Sequence, residues 1–351
     1  MLKHNISCDV VGVMSGTSLD GLDLALCKLT KKKHWTFKIK KSKTILYSSY
    51  WKNKLRNLHK KKTAEIKKTD LEFGIYIGHK IIEFVGNNKV DLIASHGHTI
   101  FHNPEKKITL QIGNGKKISE ITKITTVNDF RLLDISLNGQ GAPLVPVGDL
   151  LLFQQYKYCL NLGGFANISI KNKNDIIAYD ICPANIILNM IAEKIHLKYD
   201  HNGNLAKSGR LIHQLFYDLK FLEFHNKKAP KSLSREWLEN KFLPVFNLYL
   251  NNPIKDLLHT ICEYIAFQIS LNIENGSVLI TGGGALNKHL IERIKHYCTA
   301  NIIIPSTEII NYKEALIFGL LGILRFRNEI NTLKSVTGAN KNSSGGIIHK
   351  V

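Results

Sequence analysis

Asp9-Val10-Val11-Gly12-Val13-Met14-Ser15-Gly16-Thr17-Ser18-Leu19-Asp20-Gly21-Leu22-Asp23-Leu24-Ala25-Leu26 is the stretch whose reading decides the fold of this chain. Val10, Val11 and Val13 lead into a polar turn, and Leu22, Leu24 and Leu26 resume a period of two, so the stretch predicts a β-hairpin with its polar groups at the tip. Gly16 and Gly21 carry no Cβ, which lets the N–H groups between them approach a phosphate closely, and Thr17 and Ser18 add hydroxyl donors. An ordinary β-turn would also use Gly, Ser and Asp, so the hairpin alone leaves both readings open.

Working outward, two later stretches repeat the theme. Asn161-Leu162-Gly163-Gly164 follows the strand pattern that starts at Tyr158 and precedes another strand, and Gly282-Gly283-Gly284 follows the strand Ser277 to Thr281 and runs into a helix from Lys288 to Tyr297. Three glycines between a strand and a helix permit close approach of a nucleotide. Between these turns, Ile176 to Tyr179 reads as a strand ending at Asp180, with Cys182-Pro183-Ala184-Asn185 leading into a helix from Ile186 to Ile195. Ahead of them, Asp91 to Ala94 reads as a short strand ending at Ser95-His96-Gly97-His98-Thr99, and polar groups at strand ends are where open α/β sheets bind ligands. Residues 128–143 lose apolar periodicity, a helix is expected at Val147 to Tyr156, and the run from Lys231 to Glu236 has no assigned purpose.

At 351 residues the chain is long enough for two domains. The boundary is placed at 146/147, giving lobes 1–146 and 147–351, with the last helix and the Gly- and Ser-rich tail able to pack back on the first lobe. A net charge of +20 raises the question of nucleic acid, but the excess lies largely in lysines 28–43 and 52–68, spread along a strand and a helix without an arginine cluster, so no nucleic-acid partner is expected. The six cysteines form no Cys-x-x-Cys pair, which fits reduced thiols in the cytoplasm. Asp9 interrupts any leader-like apolar start, and Ala315 to Leu324 is too short to span a bilayer, so no membrane association is expected. Oligomeric state is not legible, and a homodimer is the default expectation.

Together these segments, with Leu110-Gln111-Ile112-Gly113, Asp129-Phe130-Arg131, Gly139-Gln140-Gly141-Ala142-Pro143-Leu144-Val145-Pro146, Glu314-Ala315-Leu316 and Ser335-Val336-Thr337-Gly338-Ala339, resemble the anhydro-N-acetylmuramic acid kinase family over nearly the whole chain. That family is a branch of the acetate and sugar kinase/actin-like ATPase superfamily. The resemblance implies an α/β fold of two actin-like, ribonuclease H-like lobes around a nucleotide cleft. It also implies a reaction in which ATP and water convert 1,6-anhydro-N-acetylmuramic acid to N-acetylmuramic acid 6-phosphate in cell-wall recycling, with Mg²⁺ assisting. Carried over by position, Gly16, Thr17, Ser18, Leu19, Asp20, Gly21, Leu22 and Asp23 hold ATP. Gly163, Gly164, Gly282, Gly283 and Gly284 complete the nucleotide contacts, Asp180 is the catalytic base, and Thr99, Arg131 and Glu314 meet the sugar.

The chain departs from the family pattern at three places. Cys182-Pro183-Ala184-Asn185 stands where Gly-Pro-Gly-Asn is usual, which is expected to restrict backbone approach to a ligand; His98 replaces glutamine; Leu132 and Leu133 replace arginines. Other readings are a different sugar or carboxylate kinase of the superfamily and a non-catalytic nucleotide-binding protein. A zinc hydrolase built on His96, His98 and His102 is disfavoured because no paired cluster of Asp, Glu or Cys accompanies them.

Overall fold

Val10, Val11, Val13, Leu22, Leu24 and Leu26 are all fully buried, and their alternation closes the opening stretch into a hairpin of β1 (Ile6–Ser15) and β2 (Gly21–Lys31). The computed structural model describes residues 6–16, 18–172, 175–229 and 231–351. It divides into two units, Met1–Leu152 with Tyr312–Val351, and Phe153–Asn311. The boundary falls six residues later than 146/147, and residues 312–351, assigned to the second lobe with the last helix and tail able to pack back on the first, cluster with the first unit.

In the first unit β2 continues antiparallel into β3 (Trp35–Leu46), whose outward residues are mostly lysines and threonines. β4 (Leu92–Asn103) then pairs parallel with β1, which requires a crossover connection, and the helix Thr63–Val85 supplies it. β5 (Ile108–Ile112) pairs antiparallel with β4, and β6 (Thr126–Asn128) pairs parallel with it. In the second unit β7 (Tyr158–Leu162), β8 (Phe165–Asn172) and β9 (Asp175–Pro183) form an antiparallel meander. β10 (Ser277–Thr281) is parallel to β7, and β11 (Asn301–Ile303) is parallel to β10. The last strand, β12 (Ile347–His349), returns to the first unit and pairs antiparallel with β6.

Strand orders of β12-β6-β4-β1-β2-β3 and β11-β10-β7-β8-β9 give the two sheets one plan. Each contains three antiparallel strands followed by two more laid parallel on the far side of the first, which is the ribonuclease H-like topology, and the first sheet adds β5 beside β4 and an antiparallel β12 beside β6. Strands buried on both faces need cover, and in the second unit the helix Ile254–Ser270 provides part of it, with Leu257, Leu258, Ile261, Cys262, Ile265 and Ile269 all fully buried. The first unit covers one sheet face with Phe73, Ile77 and Ile81 of Thr63–Val85. Residues beyond 312 of the helix Thr307–Phe326 approach the same sheet closely, since a Cβ on Gly12 would lie 1.7 Å from the Ala315 carbonyl oxygen. Gly12 is thus fixed by packing of that helix rather than by ligand chemistry.

Several elements run past their expected ends. β4 continues through Ser95-His96-Gly97-His98-Thr99 instead of stopping at Ala94, because β5 pairs with its second half. Residues 128–143, expected to be irregular, contain the short helix Leu132–Ser136, and the segment read as a Gly- and Ser-rich tail contains the helix Lys334–Thr337 as well as β12. Among the described residues no helix is long and apolar enough to cross a membrane.

Candidate functional site

The first unit positions the hairpin tip and the residues read as sugar contacts. At the tip, Leu19 takes φ 60° with its side chain buried, and its N–H donates to the Gly16 carbonyl at 3.3 Å, while Ser18 and Asp20 are exposed. Thr17, read as a phosphate contact, lies outside the described residues. A Cβ on Gly16 would meet nothing closer than the Ser18 hydroxyl at 3.6 Å, so the backbone there is open to a ligand. Gly21 differs, because its Cβ would lie 2.6 Å from the Ile45 carbonyl oxygen and the β2–β3 pairing alone requires glycine. The Leu22 side chain is wholly in the core. Asp23 is half-buried, accepts a 2.5 Å hydrogen bond from the Thr44 hydroxyl, and has its pKa raised by burial and by the nearby Asp20.

Arg131 is held by two acceptors. Its Nε and Nη2 lie 3.2 and 2.8 Å from His96 Nε2, and its Nη1 donates to the Gly141 carbonyl at 2.6 Å. His96 Nδ1 lies 3.0 Å from the Gly97 carbonyl, which assigns the ring proton to Nδ1 and leaves Nε2 as a bare acceptor. Burial and the guanidinium both push the His96 pKa well down, so the ring stays neutral. Burial also lowers Arg131 to about 10, opposed by Glu314. Glu314 presents its side chain to solvent amid dense surrounding protein, which raises its pKa; Asp23 adds to the rise, while Lys313 and Arg131 oppose it. The Gly139–Ala142 loop that supplies the Gly141 carbonyl is fixed by Asp134, which accepts from the Gly141 N–H and the Thr337 hydroxyl, both at 2.8 Å.

Thr99 is half-buried where β4 and β5 shift register, and it lines a cavity of about 210 Å³ with Leu19, Leu55, Arg56, His59, His98 and Ile100. His98 Nδ1 lies 2.9 Å from the Ser15 hydroxyl, which also accepts from Tyr47 at 2.7 Å, and burial lowers its pKa to about 4. Among the described residues His96, His98 and His102 belong to no cluster of three possible metal ligands, and His96 Nε2 is engaged by Arg131. The first unit also contains an ion pair that sequence reasoning missed, Lys313 with Asp149 at 2.7 Å, both almost fully buried. No local motif marks it, since the partners lie far apart along the chain.

In the second unit the parallel pairing of β7 with β10 brings Gly163-Gly164 and Gly282-Gly283-Gly284 side by side at the carboxyl ends of two strands. Gly282 sits at φ 81°, and a Cβ there would lie 2.6 Å from Asn161 Oδ1 and 2.8 Å from the Leu162 carbonyl. Gly284 is confined by the Leu162 side chain, and Gly163 lies close to the Asn161 amide. Gly164 and Gly283 are free of such crowding, with no atom nearer than 3.8 Å to either Cβ position. The glycines run first into a tight turn, Gly283–Leu286; the helix begins only at Lys288, capped by Asn287, whose Oδ1 accepts from the Leu290 N–H at 3.0 Å.

Asp180 does not end its strand. β9 continues to Pro183, and Asp180 faces a break in the β8–β9 register. The segment after it is anchored by carbonyls of the glycine pair: the Ala184 and Ile186 N–H groups donate to Gly164 and that of Asn185 to Gly163. Ala184 has φ −130° and ψ −106°, so the position does not require the left-handed conformation that favours glycine. Cys182 points into the core with 0% exposure. The polar run after Pro230 gains a role, because the Asp180 N–H donates to the Lys231 carbonyl at 3.1 Å and the Leu233 N–H donates to Asp180 Oδ2 at 2.8 Å. Burial raises the Asp180 pKa, partly offset by that Leu233 hydrogen bond.

A family model described as "Anhydro-N-acetylmuramic acid kinase" matches residues 8–350. Proteins of the same name from Sulfurovum sp. (strain NBC37-1) and Clostridioides difficile (strain 630) are 34% and 32% identical to the chain, over 96% and 97% of its length and 98% of theirs. Among solved structures, the activator of the 2-hydroxyisocaproyl-CoA dehydratase from Clostridium difficile with bound ADPNP is a distant likeness, at 13% identity and TM-score 0.43 over 90% of this chain and 94% of that one. With a match that runs from residue 8 almost to the last residue, and relatives aligned along nearly their full length, the chain belongs to the anhydro-N-acetylmuramic acid kinase family.

Proposed function

We propose that this protein is an ATP-dependent kinase that opens 1,6-anhydro-N-acetylmuramic acid with water and phosphorylates the freed O6, giving N-acetylmuramic acid 6-phosphate and ADP in the cytoplasmic recycling of cell-wall sugar. The observation that carries the reading is the family match over residues 8–350, supported by a half-buried Asp180 clasped by Lys231 and Leu233.

Asp180 takes a proton from water as its oxygen bonds to the anomeric carbon, and the bond from that carbon to O6 breaks. O6 then bonds to the γ-phosphorus and ADP leaves. A carboxylate with a raised pKa is a stronger base when ionised, which suits this task. Arg131, charged at neutral pH and steered by neutral His96, pairs with anionic or polar groups of the sugar, together with Glu314 and Thr99. Gly16 in the first unit, and Gly164 and Gly283 in the second, each leave the backbone open to the approach of a nucleotide phosphate. Asp20 and Asp23 offer hard oxygen donors that fit Mg²⁺, which when bound would neutralise phosphate charge. All six cysteines are free thiols, in keeping with a cytoplasmic setting.

The deciding experiment measures ADP release by purified protein given ATP and either the anhydrosugar or N-acetylmuramic acid. Turnover with the anhydrosugar alone supports the reading; turnover only with the free sugar assigns a kinase without ring opening; none with either overturns it.

A further inference from the structure

Away from the glycine turns, the second unit gathers two imidazoles and a carboxylate at the seam of two helices. His259 and Glu263 lie one turn apart on Ile254–Ser270, and His289 is the second residue of Lys288–Tyr297. One possible ligand atom from each lies within 4.8 Å of the others. The imidazole centroids are 5.3 Å apart at 33°, and His259 Nε2 is 3.7 Å from Glu263 Oε1.

Two details separate this cluster from an ordinary polar seam. His259 Nδ1 lies 2.9 Å from the Ala206 carbonyl, which assigns its proton to Nδ1 and leaves Nε2 a bare lone pair; a carbonyl holding the far ring nitrogen is how proteins orient a ligating imidazole. His289 is 6% exposed, yet its buried Nε2 has no hydrogen-bond partner, and a native fold rarely leaves such a group unsatisfied. The carboxylate has outer partners of its own: Glu263 Oε2 accepts from the Tyr297 hydroxyl at 2.9 Å and Arg293 Nη2 at 3.2 Å, and Arg293 Nε contacts Oε1.

We propose that His259, Glu263 and His289 bind a divalent transition-metal ion of the zinc class, with water as the fourth ligand. Two imidazoles and one carboxylate suit such an ion better than Mg²⁺ or Ca²⁺, which prefer all-oxygen sets. Metal–ligand bonds of about 2.0–2.1 Å place tetrahedral donors about 3.4 Å apart, so the side chains draw together on binding. Glu263 Oε1 exchanges its Arg293 Nε contact for the metal while Oε2 keeps Tyr297. The ion clamps the two helices two residues beyond Asn287, the cap that closes the tight turn begun at Gly283. The site is independent of the kinase reading.

The test uses the full chain, freed of metal with chelator and dialysed against zinc chloride without nucleotide. Wild type is expected to bind one zinc equivalent, to unfold at a higher temperature with zinc than without, and to give the visible bands of four-coordinate Co²⁺ when cobalt replaces zinc. His259→Gln and His289→Gln are each expected to weaken that equivalent by at least about tenfold and to lose the bands, whereas His34→Gln, altering an exposed histidine, retains both. Circular dichroism checks folding of each variant. If both glutamine variants misfold, the wild-type cobalt spectrum decides alone. Absence of the bands, no zinc bound by wild type at about 100 μM free metal, or undiminished binding in either folded variant overturns the proposal.

Discussion

Gly282 and Gly283 are neighbours in one turn, and replacing each by alanine should have opposite consequences. At Gly282 an alanine would adopt φ 81° and drive Cβ to 2.6 Å from Asn161 Oδ1 and 2.8 Å from the Leu162 carbonyl. A backbone at φ 81° and ψ 164° is essentially reserved to glycine and costs about 1–3 kcal/mol, and the overpacking costs about 1–3 kcal/mol, so Gly282→Ala should lose roughly 2–6 kcal/mol. For a unit of this size that corresponds to a fall in Tm of roughly 4–24 °C. At Gly283 φ is not positive and the nearest atom is Asn185 Nδ2 at 3.8 Å, so Gly283→Ala should leave stability unchanged or raise it by about 0.4–1 kcal/mol through the unfolded chain. If the nucleotide approaches this backbone, the same methyl group should raise KM for ATP about tenfold or more, a loss of about 1.4 kcal/mol. Thermal unfolding and initial-rate kinetics on both variants make the comparison. A Gly283→Ala enzyme with wild-type KM and kcat would refute the assignment of this turn to the nucleotide, and a Gly282→Ala protein with wild-type Tm would refute the steric argument.

Asp180→Asn should keep the Leu233 hydrogen bond through its side-chain oxygen while lowering kcat by about 10²–10⁴, measured as ADP release; an unaltered rate would remove Asp180 from the chemistry. Because the folded-state pKa of Asp180 is raised, its ionisation opposes folding as pH climbs from the unfolded pKa through the folded one, and that penalty is complete above the folded value. The Asn variant should therefore gain Tm relative to wild type at pH 7 but not at acid pH, and the acid limb of wild-type kcat/KM should lie above the ordinary aspartate value. Arg131→Lys cannot fork between His96 Nε2 and the Gly141 carbonyl, so kcat/KM for the anhydrosugar should drop about 10–100-fold with little change in KM for ATP; equal losses for both substrates would count against a sugar role. Lys313→Met strands a buried Asp149 and should cost about 3–5 kcal/mol in denaturant unfolding, whereas combining it with Asp149→Leu should restore most of the loss; additive losses would contradict this.

Elements with a strong apolar period were legible in the sequence, and the β10 strand and the helix after it match their expected limits because Thr281 and Gly282 end one sharply and Asn287 starts the other. Strands that continue only because a distant partner pairs with them were cut short. β4 depends on β5 for its second half, and β9 reaches Pro183 by pairing with Phe165. β12 was read as tail because three residues carry too little pattern to declare a strand without β6 beside them. At the candidate site, residue types announced the glycine turns and Asp180, but not what holds them. His96 as the acceptor for Arg131, Leu233 as the donor to Asp180, and Lys313 opposite Asp149 are long-range pairings that leave no local spacing to read.

The return of residues 312–351 to the first unit sets an order of assembly during synthesis. Residues 153–311 are contiguous and can complete their own sheet as soon as they clear the ribosome. The segment that emerged before them must wait, since its edge lacks β12 and its sheet lacks the helix that lies on Gly12 until residues beyond 312 arrive. At about 5–20 residues per second that interval lasts roughly 10–40 s, during which β6 is an unpaired edge and a natural client for chaperones.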